Sequence, residues 1–304
     1  MSNSLSTAFI ILTEHCNLHC AYCFHEQEPS RLLGRQLQGV AWISCLDSLS
    51  SLGIRNLIIT GGEPILHPDC VRFCSEASAR GFATLLLTNG QAWSSNLIAQ
   101  LVRAGVRSVS LSLNQLVELA EPRAISQALG TYDQVIRTLR DQGISWVSAI
   151  MVVSRQNFKA VRMIDEWLHA RKVGALFQPV YVASASQLTD NLCLSRLSQT
   201  EWVELATGLH AWSCRYRTTR YVELWRSLYT SRPLRPEQCL MGTTSLVVRS
   251  DGSVTPCFHR QDLHCGVLTT DQPEQVLARL AQSAAYVRAA DCFGRHCLSL
   301  FMDY

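Results

Sequence analysis

Four glycines punctuate the first half of this chain, and they constrain its fold more than any other feature. Gly53, Gly81, Gly105 and Gly143 each follow a helical pattern and precede an apolar run rich in strand formers. Glycine there supplies the left-handed backbone that stops a helix. The apolar runs are Ala8–Thr13, Asn56–Thr60, Ala83–Thr88, Ser108–Leu113, Val147–Val153 and Leu176–Val182. Helical patterns lie between them near Gln36–Leu52, Asp69–Arg80, Ser95–Ala104, Tyr132–Asp141 and Phe158–Arg171, with a sixth near Gln199–Ala211. Strand–helix units repeating every 25–35 residues or so predict an α/β fold, a parallel sheet curled into a partial (β/α)6 barrel. In such folds chemistry sits on the loops at the C-terminal strand ends.

The chain has 304 residues, of which 47% are hydrophobic, enough for a large core and too many for disorder. Its apolar runs fall short of the roughly 18–20 residues that span a bilayer. The N-terminus has no basic stretch followed by an apolar one, so the expectation is a cytoplasmic protein without a membrane partner. A net charge of +3 gives no global electrostatic case for nucleic acid. Thirteen cysteines in such a chain point to metal or redox chemistry before disulfides.

The texture changes near residue 214, dividing the chain into a barrel (1–213) and a bridging region with a small extension (214–304). Six arginines at 215, 217, 220, 226, 232 and 235 are interleaved with Tyr216, Tyr221, Trp225 and Tyr229. Asp251-Gly252, between Thr244–Val248 and Ser253–Thr255, reads as a hairpin turn. A helix near Glu274–Arg288 and a cysteine-rich tail complete this part.

Cys16, Cys20 and Cys23 lie on the loop after the first strand with C-x3-C-x2-C spacing. Three thiolates this close can hold three irons of a cubane and leave the fourth open to a ligand. A structural zinc would need a fourth protein ligand, which His15, His19 or His25 could supply. Spacing alone leaves both readings open.

Tyr22, just before the third cysteine, strengthens a resemblance to the radical S-adenosylmethionine (SAM) superfamily that three more motifs carry. Gly61-Gly62-Glu63-Pro64 follows the second strand, Thr88-Asn89-Gly90 closes the third, and Ser112-Leu113-Asn114 closes the fourth. The resemblance covers residues 8–183. It implies that the Gly61–Pro64 segment meets the SAM amino group, its glycines allowing close backbone approach. It also implies that Asn89, Ser112 and Asn114 lie near SAM, although Asn114 stands where the family commonly has Asp. Ser154 and Asn157 match a further pair near SAM more loosely. The implied chemistry is reductive cleavage of SAM at the open iron. That yields methionine and a 5′-deoxyadenosyl radical, which abstracts hydrogen from an unactivated C–H bond. A one-electron donor such as flavodoxin or ferredoxin is the implied partner.

Cys239 and Cys257, flanking the Gly252 turn, resemble the start of the extension called SPASM or, when shorter, twitch. Cys292 and Cys297, with C-x4-C spacing, complete a second proposed 4Fe–4S site, and a zinc ribbon is the alternative. Two full clusters in the extension would need about seven or eight cysteines. Five follow residue 238, so one auxiliary cluster is expected. Cys265 is the fifth, open to roles as fourth ligand, inert core residue or hydrogen donor. Cys45, Cys70, Cys74, Cys193 and Cys214, on helical or apolar stretches, read as inert small hydrophobes.

Three substrate classes follow. A small polar metabolite, sugar- or aminocyclitol-like, would undergo epimerisation with Cys265 as donor, or dehydrogenation with the auxiliary cluster as electron acceptor. This is the first expectation. A ribosomally made peptide is the alternative, disfavoured because only seven residues precede the first strand while many such enzymes carry a leader-binding domain there. RNA rests on the Arg/Tyr stretch, but Tyr221, Leu224, Trp225 and Leu228 share the spacing of an apolar helix face.

Overall fold

The computed structural model describes residues 5–23, 36–180, 191–228 and 241–287. Six parallel strands form in chain order: β1 (Thr7–Thr13), β2 (Asn56–Gly61), β3 (Ala83–Thr88), β4 (Ser108–Ser112), β5 (Trp146–Val153) and β6 (Gly174–Pro179). The helices that follow them are α1 (Val40–Ser51), α2 (Cys70–Ala79), α3 (Ser95–Arg103), α4 (Pro122–Asp141), α5 (Val161–Ala170) and α6 (Gln199–Tyr216). All four punctuating glycines have positive φ, between 80° and 103°, as a left-handed helix stop requires. Helix α4 begins ten residues before the expected Tyr132. Pro122 supplies its first turn, and Gly130 is tolerated in its interior. Ser198 opens α6 with a reciprocal capping box to Glu201.

Phe177 of β6 stacks edge-on against Trp212 of α6, with ring centroids 5.3 Å apart. Its face of the sheet is therefore the helix-covered one. Leu57, Ile59, Leu86, Val109, Leu111, Ala149 and Met151 share that face by register and are fully buried. The alternate set (Ile58, Leu85, Leu87, Ser112, Ser148, Ile150, Val152, Leu176 and Gln178) stays half-buried on the uncovered inner face. Fully buried parallel strands need apolar residues on both faces, which explains the unbroken run Ala8–Leu12 in central β1.

The sheet does not stop at β1. Strand β7 (Ser245–Val248) pairs with it in parallel, Phe9 opposite Val247. Strands β8 (Ser253–Thr255) and β9 (Gly266–Val267) then extend it antiparallel, giving the order β6-β5-β4-β3-β2-β1-β7-β8-β9. The open sheet is a partial barrel. The Asp251-Gly252 turn forms as expected: Gly252 has a φ of 83°, and Asp251 accepts the Ser253 N–H at 2.9 Å. Helix α8 (Pro273–Val287) covers this end, and Ser48 of α1 donates to the Leu268 carbonyl at 2.9 Å.

Helix α7 (Thr219–Leu228) buries Tyr221 and Trp225, with Tyr221 also edge-on to Trp212. Arg215 pairs with the buried Asp165 at 2.7 Å. Tyr221 and Trp225 of the Arg/Tyr stretch are thus core, as their helical spacing indicated, whereas Tyr216 is exposed.

Candidate active site

The C-terminal ends of β1 to β4 bring the sequence motifs together. The backbone just past β1 runs against the loop after β2. Gly62 N–H donates to the Thr13 carbonyl, and Glu63 N–H donates to the His15 carbonyl, both at 2.7 Å. A Cβ on Gly61 would stand 2.3 Å from the Thr13 oxygen, and one on Gly62 would stand 2.2 Å from the His15 oxygen. Both are far inside van der Waals contact. The close approach that demands these glycines is thus to the chain's own cysteine loop.

Glu63 is buried. One carboxylate oxygen accepts from the Thr88 hydroxyl at 2.8 Å and the other from the Asn89 backbone N–H at 2.7 Å. Burial raises its carboxyl above the usual carboxylate range, and these donors offset only part of the rise. Thr88 also accepts from the Trp93 indole at 3.1 Å. The Asn89 amide turns toward the cysteine loop, donating to Asn17 Oδ1 at 2.8 Å and lying 3.9 Å from Cys16 Sγ. Pro64 opens the short turn Pro64–Leu66 beneath this network.

Cys16 is exposed, while Cys20 and Cys23 are partly exposed. The Cys20 thiol is pushed up to about 11, chiefly by burial, with a hydrogen bond to Tyr22 opposing the rise and nearby Cys23 and Cys16 adding to it. The Tyr22 hydroxyl, itself raised chiefly by burial, donates to Asn114 Oδ1 at 2.6 Å. Tyr132 of α4 reaches the same strand end, donating to the Ser112 carbonyl at 3.4 Å.

Ser154 and Asn157 are fully buried. The Ser154 hydroxyl donates to the Val117 carbonyl at 2.6 Å, and Asn157 donates to the Leu116 carbonyl at 3.1 Å. In this structure the pair secures the turn after β4. Cys265 is also buried, its sulfur 3.5 Å from the Ser283 hydroxyl of α8. Its thiol packs against α8. Cys257 is buried just past β8, whereas Cys239, Cys292 and Cys297 lie outside the described residues.

Three motifs on consecutive strand ends, locked to a three-cysteine loop, are matched by the Radical SAM superfamily model over residues 10–168. The chain belongs to the radical SAM superfamily. Over 108 residues it is 35% identical to GTP 3′,8-cyclase of Chlorobaculum tepidum, covering 35% of this chain and 32% of that one. PqqA peptide cyclase of Gluconobacter oxydans is 29% identical over 166 residues, 54% of this chain and 45% of the relative. The chain spans less than half the length of these two relatives. Sporulation killing factor maturation protein SkfB of Bacillus subtilis is 23% identical over 289 residues, 93% of this chain and 68% of SkfB. Among solved structures, native anSMEcpe with bound AdoMet shares the fold at a TM-score of 0.64 and 14% identity, over 95% of this chain and 85% of that one. Streptococcus suis SuiB bound to precursor peptide SuiA does so at 0.63 and 13%, over 97% and 71%.

The radical SAM loop fits the 4Fe–4S cluster its family implies. It presents three thiols from one short segment, and the Leu18 N–H donates to Cys16 Sγ at 3.4 Å, the kind of hydrogen bond that tunes a cluster sulfur. Among the described residues no three His, Cys, Asp or Glu side chains converge as around a single ion. A cubane seats each thiolate on its own iron and needs no such convergence. When bound, the cluster and SAM supply a carbon-centred radical for hydrogen abstraction. The protein residues hold the loop. Asn89 and Glu63 tie it to β2 and β3, and Tyr22 ties it to β4. Tyr132 and Trp93 were missed in the sequence because nothing local marks a tyrosine inside α4, or a tryptophan after β3, as facing these strand ends.

Proposed function

We propose that this radical SAM enzyme acts on a peptide, abstracting hydrogen from one residue so that a new bond forms within the chain. The observation that supports this most is the match to SkfB, which runs through the barrel and the extension alike. A maturation protein, a PqqA peptide cyclase and a structure bound to a precursor peptide stand among its relatives and structural neighbours. The inner face of the sheet suits such a substrate, since Ile58, Leu85, Leu87, Ile150, Val152 and Leu176 form a half-buried apolar wall for peptide side chains.

In this reading Cys16, Cys20 and Cys23 hold the SAM-cleaving cluster, and Ser112 and Asn114 face SAM. Cys239, Cys257, Cys292 and Cys297 hold an auxiliary cluster that accepts the second electron. An external one-electron donor drives each turnover. A small polar metabolite is the second reading, supported by the neutral polar groups Thr60, Ser112, Ser148 and Gln178 on the same face. Anaerobically reconstituted enzyme is to be incubated with SAM, dithionite and a panel of synthetic linear peptides. A peptide product lighter by two hydrogens supports the first reading. Unchanged peptides, together with SAM cleavage that an aminocyclitol stimulates, would favour the second.

A further inference from the structure

An ion pair sealed from solvent stands at the root of the cysteine loop. Glu14 directly follows β1, two residues before Cys16. Its Oε1 lies 3.4 Å from the Arg249 guanidinium and accepts from the Ser250 hydroxyl at 3.2 Å. The Glu14 and Arg249 side chains are 1% and 2% exposed. Arg249 and Ser250 lie at the tip of the β7–β8 hairpin, whose backbone is fixed by the Arg249 N–H to the Ser253 carbonyl at 2.8 Å. The same stretch of chain, Thr13–His15, is gripped from its other side by Gly62 and Glu63.

Burying a carboxylate and a guanidinium costs more desolvation than an isolated pair returns, so such a pair is a weak source of stability. Its value is geometric: two charges in a low dielectric fix the relative position of the segments that carry them. We infer that Glu14, with Arg249 and Ser250, is a positioning residue through which the C-terminal hairpin sets the cysteine loop and the electrostatic field around its sulfurs. This rests on the reading of Cys16, Cys20 and Cys23 as cluster ligands. The hairpin would then be part of the SAM-cleaving machinery as well as the carrier of Cys257.

The test uses reconstituted full-length protein in four forms: Glu14→Gln, Arg249→Met, the charge-neutral double variant and the milder Ser250→Ala. The readouts are the rate of iron loss to a chelator and the midpoint potential of the EPR signal that SAM addition perturbs. Reduction adds negative charge, so losing the nearby carboxylate should move the potential positive, and losing the guanidinium should move it negative. The double variant should return toward wild type. Iron loss should be slowest in wild type, faster in Ser250→Ala and fastest in the single charge variants. Wild-type potentials and iron-loss rates in all variants, even with lowered melting temperatures, would overturn the inference and leave a purely structural pair. Failure of the underlying reading is distinct: the SAM-perturbed signal would survive replacement of all three cysteines.

Discussion

The Tyr22 hydroxyl donates a 2.6 Å hydrogen bond to Oδ1 of Asn114, joining positions 92 residues apart. One bond thereby links the cysteine loop after β1 to the end of β4, across the inner end of the sheet. It also gives Asn114 a use that does not depend on the negative charge of the Asp common in the family. Tyr22→Phe removes the donor and keeps the ring. The expected cost is about 1–3 kcal/mol, because a partly buried acceptor loses its partner. Urea unfolding of the apoprotein measures it, and an unchanged midpoint would show that water replaces the hydroxyl freely.

Gly62→Ala and Gly130→Ala should act in opposite directions. The first places a methyl 2.2 Å from the His15 oxygen, where only backbone movement can relieve it, so soluble expression or cluster loading should fail. The second sits inside α4 with nothing within 4 Å of the added carbon, and should stabilise by about 0.5–1 kcal/mol through helix propensity. Thermal melts of the two variants make the comparison.

Asn89→Ala cuts the bridge from β3 to Asn17 and withdraws an N–H from the side of Cys16 Sγ. Loss of such a donor lowers a cluster's potential by leaving more charge on the sulfur. The expected outcome is a more negative midpoint in an EPR-monitored redox titration, with lower iron occupancy. The Thr88 and Glu63 contact should persist, because Glu63 binds the backbone of Asn89 and not its side chain.

Iron content separates the two cysteine sets. With two cubanes the reconstituted chain should hold about eight irons, falling to about four when Cys16, Cys20 and Cys23 are replaced together by Ala. SAM cleavage should be lost in that variant. Cys257→Ala should lower the iron while leaving the SAM-perturbed signal in place. Four irons in the wild type would remove the auxiliary cluster.

Asp133 of α4 supplies a pH dependence whose sign follows from its partners. Arg171 and Arg137 hold its carboxyl below the usual range. A depressed folded-state pKa stabilises at any pH above the ordinary carboxylate value, and the contribution fades as pH falls through the folded value. Asp133→Asn should therefore be less stable than wild type at neutral pH, with the gap closing in acid. Urea midpoints across pH 3–7 or so test this; a constant gap would assign the loss to packing.

The sequence by itself determined the local and repetitive features. Glycines 53, 81, 105 and 143 fall in the left-handed region because only a residue without Cβ stops these helices cheaply, and that requirement is readable residue by residue. The Asp251-Gly252 turn and the cysteine trio are legible for the same reason, since their chemistry is contained within a few positions. Tertiary structure decided what depends on distant segments meeting. That β7 extends the barrel sheet beside β1, that Gly61 and Gly62 are squeezed by Thr13 and His15, and that Glu14 meets Arg249 all arise from contacts between parts of the chain far apart in sequence. So does the burial of Cys265 beneath α8, which selects among the roles its sequence left open only through a contact with Ser283, eighteen residues away. A side chain's partner across a sheet is set by register and twist, and these are properties of the assembled fold.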